Sequence, residues 1–337
     1  SNGVILVKTK SGRKRSKAAI SISGYSGFQY LGNKPDLMNA SEYINYYNRG
    51  VAEAGGNLNG NRGAFSEAER DALPDTDWYD AASRDAAMSN LAVSLSDGGE
   101  KYSYSISGGI FDQDGVFSKA GKSNFNRKNL RASLNADVRE NFQISVSASV
   151  SKRVNSYPVG SIGSVNALPS IYPTYAENGE IFNPGRQSPA PEYNGVPLNV
   201  MGEMTNPLWE LNDYQGSEAI NDFINYGVSA DWQPIKDLNI HAAYSKFKDN
   251  GFWRQFTPSL GAVYPTQDFF LRGSYTERPS GFANDQIRTT AAYTFSKLAL
   301  KGHNLDVIVG YEVIEEENNF GQDKTNISDY WTRSEEH

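Results

Sequence analysis

The hydrophobic and polar positions of this chain alternate over long stretches, most regularly between Met88 and Arg153. A period of two is typical of a β-strand, and these runs exceed the roughly five or six residues of an ordinary soluble strand. The opposite faces carry Ser, Asn, Asp, Arg and Gln. The pattern therefore predicts four consecutive strands with one apolar face, formed by Leu91, Val93 and Leu95; by Tyr102, Tyr104, Ile106 and Ile110; by Leu130, Ala132, Leu134, Ala136 and Val138; and by Phe142, Ile144, Val146, Ala148 and Val150.

The same alternation recurs on both sides of this region and predicts about nine strands in all. An apolar face occurs in runs around 18–30, 224–232, 238–244, 287–295 and 305–313. An apolar face opposite a polar one suits a barrel wall between lipid and a wet lumen, but also a soluble β-sandwich. Alternation alone leaves both folds open.

The lengths of the connections favour the barrel. Short connections are predicted at 97–100, 139–141, 233–237 and 299–303. Longer segments separate them at 32–87, 113–123, 154–217, 251–285 and after 316. Outer-membrane barrels have short periplasmic turns and long extracellular loops, whereas a Greek-key sandwich has no reason to alternate so regularly. We therefore predict an all-β fold: about nine strands of a transmembrane antiparallel β-barrel, whose open edges require a larger wall.

Composition narrows the classes of function. The chain has 337 residues, a net charge of -7 and no cysteine, so disulfides and thiolate metal sites are excluded. No apolar run approaches the roughly 20 residues of a spanning helix. The acidic balance argues against nucleic-acid binding. The chain begins at Ser1 with a strand-like run, which predicts a piece of a longer protein.

No pattern of catalytic or metal-ligating residues stands out. The histidines His241, His303 and His337 are far apart in the sequence. The run Phe111–Val116 (FDQDGV) has carboxylates spaced somewhat as in a calcium loop but lacks the remaining ligands, and a turn explains it more simply. Residues 76–80 (TDWYD) suggest a loop anchored by Trp78 with a capping Asp. We predict no enzyme activity, no metal and no cofactor.

The long connections hold the candidate binding residues. Asn39 and Glu42 have the spacing of a capping box, and Gly55 can end the helix that this box predicts. Loop aromatics near Asn, Gln and Asp can stack on sugar rings or contact peptides, or can simply pack the loops together. The candidate substrate-binding residues are Tyr172, Tyr175, Trp209, Tyr214 and Trp253.

Several segments, in this order, resemble SusC/RagA-type TonB-dependent outer-membrane transporters. The run SNGVILVKTKSG resembles the last strand of that family's plug domain, and GYSGFQ with DLMNASEYINYYN resembles its first barrel strand and the following helix. The stretch from TDWYD through NLAVSLSDGGEKYSYSISGGIFDQDGV is the most recognisable. ALPSIYPTYAENGEIFNP, NPLWEL and KGHNLDVIVGYE fit the same pattern.

The resemblance implies a 22-stranded outer-membrane barrel with a plug, energised by the TonB complex and paired with a SusD-like surface lipoprotein. Such transporters import oligosaccharides or peptides. On this basis residues 1–17 are expected to hold the end of the plug and a linker, and residues 18–337 the N-terminal part of the barrel. Two alternatives remain: a barrel or adhesin without energy coupling, and a soluble carbohydrate-binding β-sandwich.

Overall fold

The computed structural model describes residues 12–56, 62–117, 123–157, 163–182, 192–200, 206–208, 216–257, 273–295, 305–321 and 324–328. Within these ranges the strands are β1 Ser16–Gln29, β2 Ala86–Gly98, β3 Tyr102–Asp114, β4 Asn124–Arg139, β5 Phe142–Tyr157, β6 Glu192–Tyr193, β7 Val196–Pro197, β8 Gly216–Ile235, β9 Leu238–Thr257, β10 Gly273–Phe295, β11 Leu305–Phe320 and β12 Lys324–Ser328. The helices are α1 Ala40–Glu53, α2 Glu67–Ala72, α3 Trp78–Ala82 and α4 Gly163–Ala167. No helix in the described part of the chain is long and apolar enough to cross a membrane.

One antiparallel sheet contains every described strand except the small hairpin of β6 and β7. Its order is β1-β2-β3-β4-β5-β8-β9-β10-β11, and β12 also pairs with β10. β11 pairs with residues 280–295 of β10, and β12 pairs with residues 273–277 farther along the same strand. β12 therefore continues the position of β11. The described sheet has nine strand positions, which confirms the predicted fold class and strand count.

The tight connections come where the sequence predicts them. β2 ends at Gly98 and β3 begins at Tyr102, β4 ends at Arg139 before Phe142, and β8 ends at Ile235 before Leu238. The fourth predicted turn, 299–303, lies outside the described residues, as does the strand-like start of the chain before residue 12.

The apolar face of the sheet is exposed rather than buried. Aliphatic side chains along this face retain between 38% and 53% of their accessible surface: Leu91, Ile110, Leu130, Leu134, Val146, Val150, Ile224 and Val228. Aromatic residues on the same face lie beside the short turns, where Tyr102, Trp232 and Phe295 are 46%, 47% and 37% exposed. A soluble sandwich would bury this face between two sheets. An exposed apolar face is what a lipid-facing wall presents.

The apolar face does not follow the rows of residues that are paired directly across the strands, but crosses these rows at an angle. At the long-loop end it begins at Ile110 on β3, but on β11 it begins at Val313. The row of paired residues through Ile110 reaches Asn319, six residues beyond Val313. At the turn end, the row through Tyr102 reaches Tyr311, whereas the face extends six residues further to Leu305.

Both edges of this face therefore move by the same amount, about one residue for each step from strand to strand between β3 and β11. With about 3.3 Å per residue and about 4.8 Å between strands, this shift corresponds to a tilt of about 35°. Strands of membrane barrels tilt by about 35–45° from the barrel axis. The face is therefore a band of nearly constant width across tilted strands.

The strands extend much farther toward the long loops than the alternation indicates. The prediction that 251–285 is a loop is wrong at both ends, because β9 continues to Thr257 and β10 starts at Gly273. Beyond the apolar band both faces carry polar and aromatic residues, so the period-two signal disappears although backbone pairing continues. Only residues 258–272 of that segment lie outside the described strands.

Candidate functional site

The first two long connections fold together into a unit that we call the loop module: the described parts of residues 30–85 and 163–208. Its buried hydrophobic cluster contains eight residues from each connection, and Ile44, Val165, Ile171 and Leu198 are 0% exposed. This is the hydrophobic core of the described chain, and all its members lie outside the large sheet. The module is therefore a candidate functional unit with its own packed interior.

Helix α1 forms as the capping pattern predicts. The Asn39 side chain accepts a hydrogen bond from the backbone N–H of Glu42 at 2.9 Å, and the Glu42 carboxylate accepts one from the Asn39 N–H at 3.0 Å. At the other end, Gly55 adopts φ +78, and the N–H groups of Gly55 and Gly56 bond to carbonyls of the last turn. This is the left-handed ending that glycine favours. The capping box and the role of Gly55 are confirmed.

The TDWYD segment also anchors the module as predicted. Asp77 caps α3 by accepting from the Asp80 N–H at 3.0 Å. Trp78 is 2% exposed and donates its indole N–H to the carbonyl oxygen of Pro169, 3.0 Å away in the second connection. Burial opposes ionisation of Asp77, but the Asp80 N–H and the ammonium group of Lys34 hold its pKa below the usual value.

Arg62 joins the two connections through three kinds of contact. Its guanidinium donates to the carbonyl oxygen of Pro197 at 2.6 Å and to the carboxylate of Glu69 at 2.6 Å, and it lies 3.8 Å from the centre of the Phe65 ring. The Ser66 N–H and Arg62 lower the pKa of Glu69. Because its side chain is 10% exposed, Arg62 pairs in a partly dry setting where such contacts are stronger.

A cavity of about 600 Å³ lies between segments 34–39, 75–79 and 166–170. Cross-connections shape it: the Thr76 N–H bonds to the Ser170 carbonyl at 2.8 Å, and the Ser170 hydroxyl bonds to the Met38 carbonyl at 3.0 Å. Lys34 lies at its edge, paired with Asp77 and Asp80. Burial raises the pKa of Tyr43, which lines it, to about 12. Its lining thus combines an aromatic hydroxyl, a cation and carboxylates, which suits a polar ligand.

The structure separates the five predicted binding residues. Tyr172 is 1% exposed inside the cluster, with its hydroxyl donated to the Leu198 carbonyl at 2.9 Å. Tyr175 is 49% exposed and forms a bridge with Ile181. Trp209 and Tyr214 lie outside the described residues. Tyr172 thus packs the module in this structure, whereas Tyr175 is accessible.

Trp253 is not in a loop, because it lies within β9. Its indole N–H donates to the hydroxyl of Tyr157 at 2.8 Å, and the Arg278 guanidinium lies 5.2 Å from its ring centre. Trp253 and Arg278 are paired across the strands. The loop placement was wrong because the strand signal ends before the strand does.

A group of arginines and aromatic rings on the polar face was missed from the sequence. Arg127 lies 5.8 Å from the ring centre of Phe111, and Arg153 lies 5.0 Å from that of Phe223. Further ring contacts at about 6 Å continue the group, between Phe111 and Phe125, Phe223 and Phe247, and Phe247 and Phe282. These residues contact one another on one face although they run from position 111 to position 282 of the chain, so only knowledge of the register could have revealed them.

The other carboxylate and histidine candidates have ordinary partners. Asp112 accepts the side-chain amides of Asn124 and Asn126, at 3.3 Å and 2.7 Å. His241 lies 2.8 Å from the Asp231 carboxylate on an open surface. Among the described residues, no group of three or more His, Asp or Glu side chains is arranged to hold a metal ion.

Comparisons with known proteins agree with the fold. The chain is 26% identical over 265 residues to a TonB-dependent receptor of Formosa agariphila, covering 77% of this chain and 24% of the relative. It is 25% identical over 260 residues to TonB-dependent receptor SusC of Bacteroides thetaiotaomicron, covering 72% of this chain and 24% of SusC. No family model matches the chain. The chain spans about a quarter of the length of these curated relatives.

The solved structure of the RagAB peptide importer in its closed-closed state superposes with a TM-score of 0.72 at 19% identity, over 97% of this chain and 37% of the solved chain. The resemblance to SusC/RagA-type TonB-dependent receptors is confirmed. The described sheet accordingly corresponds to part of a SusC/RagA-type barrel wall. These relatives are receptors and importers rather than enzymes, in agreement with the sequence-based prediction.

Proposed function

We propose that this chain forms part of the wall and extracellular surface of a TonB-dependent importer in an outer membrane. The observation that carries the proposal is the exposed apolar band, which keeps its width while crossing the strands at about 35°. Outer-membrane lipid would cover this band. The polar face would then line the lumen, and the short turns would face the periplasm.

Residues 1–17 would contain the end of the plug and its linker, with the barrel beginning at 18. The Lys14 ammonium, in that linker, lies 2.5 Å from the Asp137 carboxylate of β4. Asp137 also accepts from the Gln143 amide at 3.0 Å. These contacts on the polar face support a fixed path by which the linker enters the wall. The TonB complex would act through the region before it.

The loop module would capture substrate and meet a SusD-like surface lipoprotein. Its packed core supports this role, because a partner needs a surface of defined shape. The substrate would be an oligosaccharide or a peptide, and the structurally similar RagAB complex is a peptide importer. The candidates for substrate contact are Tyr175, which is exposed, and Trp253, together with Trp209 and Tyr214, which lie outside the described residues.

Deletion of the second long connection tests this assignment. In the full-length protein, residues 158–215 would be replaced by a short Gly-Ser linker, which leaves β5 and β8 intact. We expect energised uptake or association with the lipoprotein to be abolished while the barrel still assembles, as judged by heat-modifiable gel mobility. Replacing residues 118–122 of the shorter connection serves as the matched control. Unchanged uptake and lipoprotein association after the first deletion would contradict the assignment.

A non-energised barrel or adhesin is distinguished by a second measurement. Uptake by the intact protein should stop when TonB is removed or the proton gradient is collapsed. Uptake that continues at the same rate would favour the barrel without energy coupling.

A further inference from the structure

Two arginines on the polar face are held side by side. Arg127 of β4 and Arg153 of β5 are directly paired residues in an unbroken stretch of register. Like charges directly opposite each other on two strands destabilise a sheet. Among the described residues, no carboxylate lies within ion-pair distance of either guanidinium. Arg153 connects to an acid indirectly, because it donates to the Asn221 side chain at 3.1 Å, and Asn221 donates to Asp249 at 3.0 Å.

A phenyl ring lies beside each of these arginines. Phe111 is the cross-strand partner of Arg127, and Phe223 lies near Arg153. A guanidinium above an aromatic face is held in place by the ring quadrupole. Its N–H groups lie in the plane of the guanidinium, in the fork that binds a carboxylate or a sulfate through two parallel hydrogen bonds.

The height of the pair places it at the opening rather than deep in the barrel. Lys128 and Lys152, the next residues along each strand, are exposed on the apolar face and directly paired. They lie two residues farther toward the long loops than Leu130 and Val150, the outermost members of the regular apolar alternation on β4 and β5. The arginines are one residue farther toward the long loops, hence above the apolar band.

We infer that Arg127 and Arg153, with Phe111 and Phe223, form an anion-selective binding site at the extracellular mouth, specific for oligomers that carry carboxylate groups. The inference rests on the proposed function, since it assumes that the polar face lines an import route. The two guanidinium groups bind the carboxylates, and the phenyl faces contact the ring or apolar part of the same ligand. Acidic sugars and acidic peptides share this chemistry.

Binding and uptake by the full-length transporter test the site. The probes are two matched pairs: oligogalacturonate with its methyl ester, and a Glu-containing peptide with its Gln counterpart. We expect the acidic member of one pair to bind more tightly than its neutral counterpart, as measured by calorimetry. Whether this pair is the sugar or the peptide identifies the class of ligand. R127Q/R153Q should weaken binding of that acidic member by at least about tenfold, as expected for loss of charge-assisted hydrogen bonds, and leave the neutral member unchanged.

The matched control is K128Q/K152Q, which removes two charges from the same strands at nearly the same height but from the opposite face. The preference of this variant for the acidic probe over the neutral probe should equal that of the unmodified protein. R127K/R153K keeps the charge without the planar fork and should restore only part of the preference.

Three outcomes would overturn the inference. The first is an unmodified transporter that imports but prefers neither acidic probe. The second is an equal loss in the lysine and arginine variants, which would indicate bulk charge. The third is entry of a large antibiotic into cells that carry R127Q/R153Q. Such entry would show that the two arginines keep the plug in place instead of binding substrate. Absence of energised import in the unmodified protein would instead contradict the proposed function. In that case the difference in binding between acidic and neutral probes, measured by calorimetry, would still test this inference.

Discussion

The sheet and the loop module are stabilised in opposite ways. The sheet pairs its backbone groups over nine strand positions, yet most of its apolar side chains remain exposed. The loop module has one two-stranded hairpin and four helices, yet it buries Ile44, Trp78, Ile171 and Leu198 almost completely. A barrel wall relies on closed hydrogen bonding and a lipid surround. Loops that stand in water need a hydrophobic core of their own.

Because the two regions draw their stability from different sources, they should fail independently. A change that empties the module's core should leave the wall assembled, and a charge on the apolar face should prevent assembly whatever the state of the module. The following predictions test that separation in the full-length protein.

The largest effect is expected from Trp78→Ala. Removing a buried Trp costs about 3–5 kcal/mol, and here it also removes the hydrogen bond to Pro169 that joins the two connections. We expect rapid proteolytic cleavage within 163–208 and unchanged heat-modifiable mobility of the barrel. Tyr46→Ala is the control, because Tyr46 lies on α1 but is 62% exposed. Loss of barrel assembly in the Trp78 variant would show that the two regions are coupled.

Val146→Arg should affect the wall alone. Val146 lies in the middle of the apolar band between its partners Leu134 and Val228. An arginine on the lipid face near the bilayer midplane costs about 2–4 kcal/mol, so the amount of folded barrel in the outer-membrane fraction should fall. Ser147→Arg places the same residue on the polar face and should be tolerated. Equal loss in both variants would argue against lipid on the apolar face.

Asn39→Ala should have a smaller and more local effect. Loss of an N-cap costs about 1 kcal/mol, because the backbone N–H of Glu42 loses the acceptor that the Asn39 side chain provides. Hydrogen exchange of residues 40–53 should accelerate about fivefold, with exchange in β4 and β5 unchanged. Asn33→Ala, at an exposed position before the helix, is the control. Faster exchange in β4 and β5 would contradict the separation.

The smallest effect is a dependence of the module on pH. The pKa of Glu69 is lowered by its hydrogen bonds to Ser66 and by Arg62, and that of Asp77 by the Asp80 N–H and Lys34 despite burial. Lowered values in the folded state mean that this stability is present at neutral pH and is lost as pH falls below the ordinary carboxylate range through the folded values. Hydrogen exchange of residues 62–82, corrected for the intrinsic rate, should therefore accelerate at pH 3 relative to pH 6.

The matching control for this pH effect is Glu69→Gln. It should already show part of the acceleration at pH 6 and a weaker response to acid. Identical pH profiles for the variant and the unmodified protein would exclude Glu69 as a source of the effect.

The sequence predicts the wall better than the module for a physical reason. Alternation is a local signal, so Leu130 or Val146 reveals its face from its immediate neighbours. The caps at Asn39 and Asp77 are local too. Trp78 packing under Pro169, or Arg62 reaching Pro197, joins residues about 90 to 135 positions apart. No period along the chain encodes such pairs.

The misplaced Trp253 shows where the local signal ends. Above the apolar band neither face of a strand is distinguished by lipid, so β8, β9 and β10 continue without alternation. The same limit concealed the arginine pair, since Arg127 and Arg153 become neighbours only through the register of β4 and β5. Tyr172 seemed suitable for binding by composition, but its ring completes the core.

The length of β10 has a consequence for what the cell surface presents. Residues 273–286 precede the first apolar residue of its band, Ile287, while remaining paired with β9. At about 3.3 Å per residue and a tilt of about 35°, this part rises roughly 35–40 Å. With the band in the membrane, the paired ends of β9 and β10 would form a stiff, hydrogen-bonded collar that stands above it. Antibodies and phages that approach through a polysaccharide coat would meet this collar well before they reach lipid headgroups.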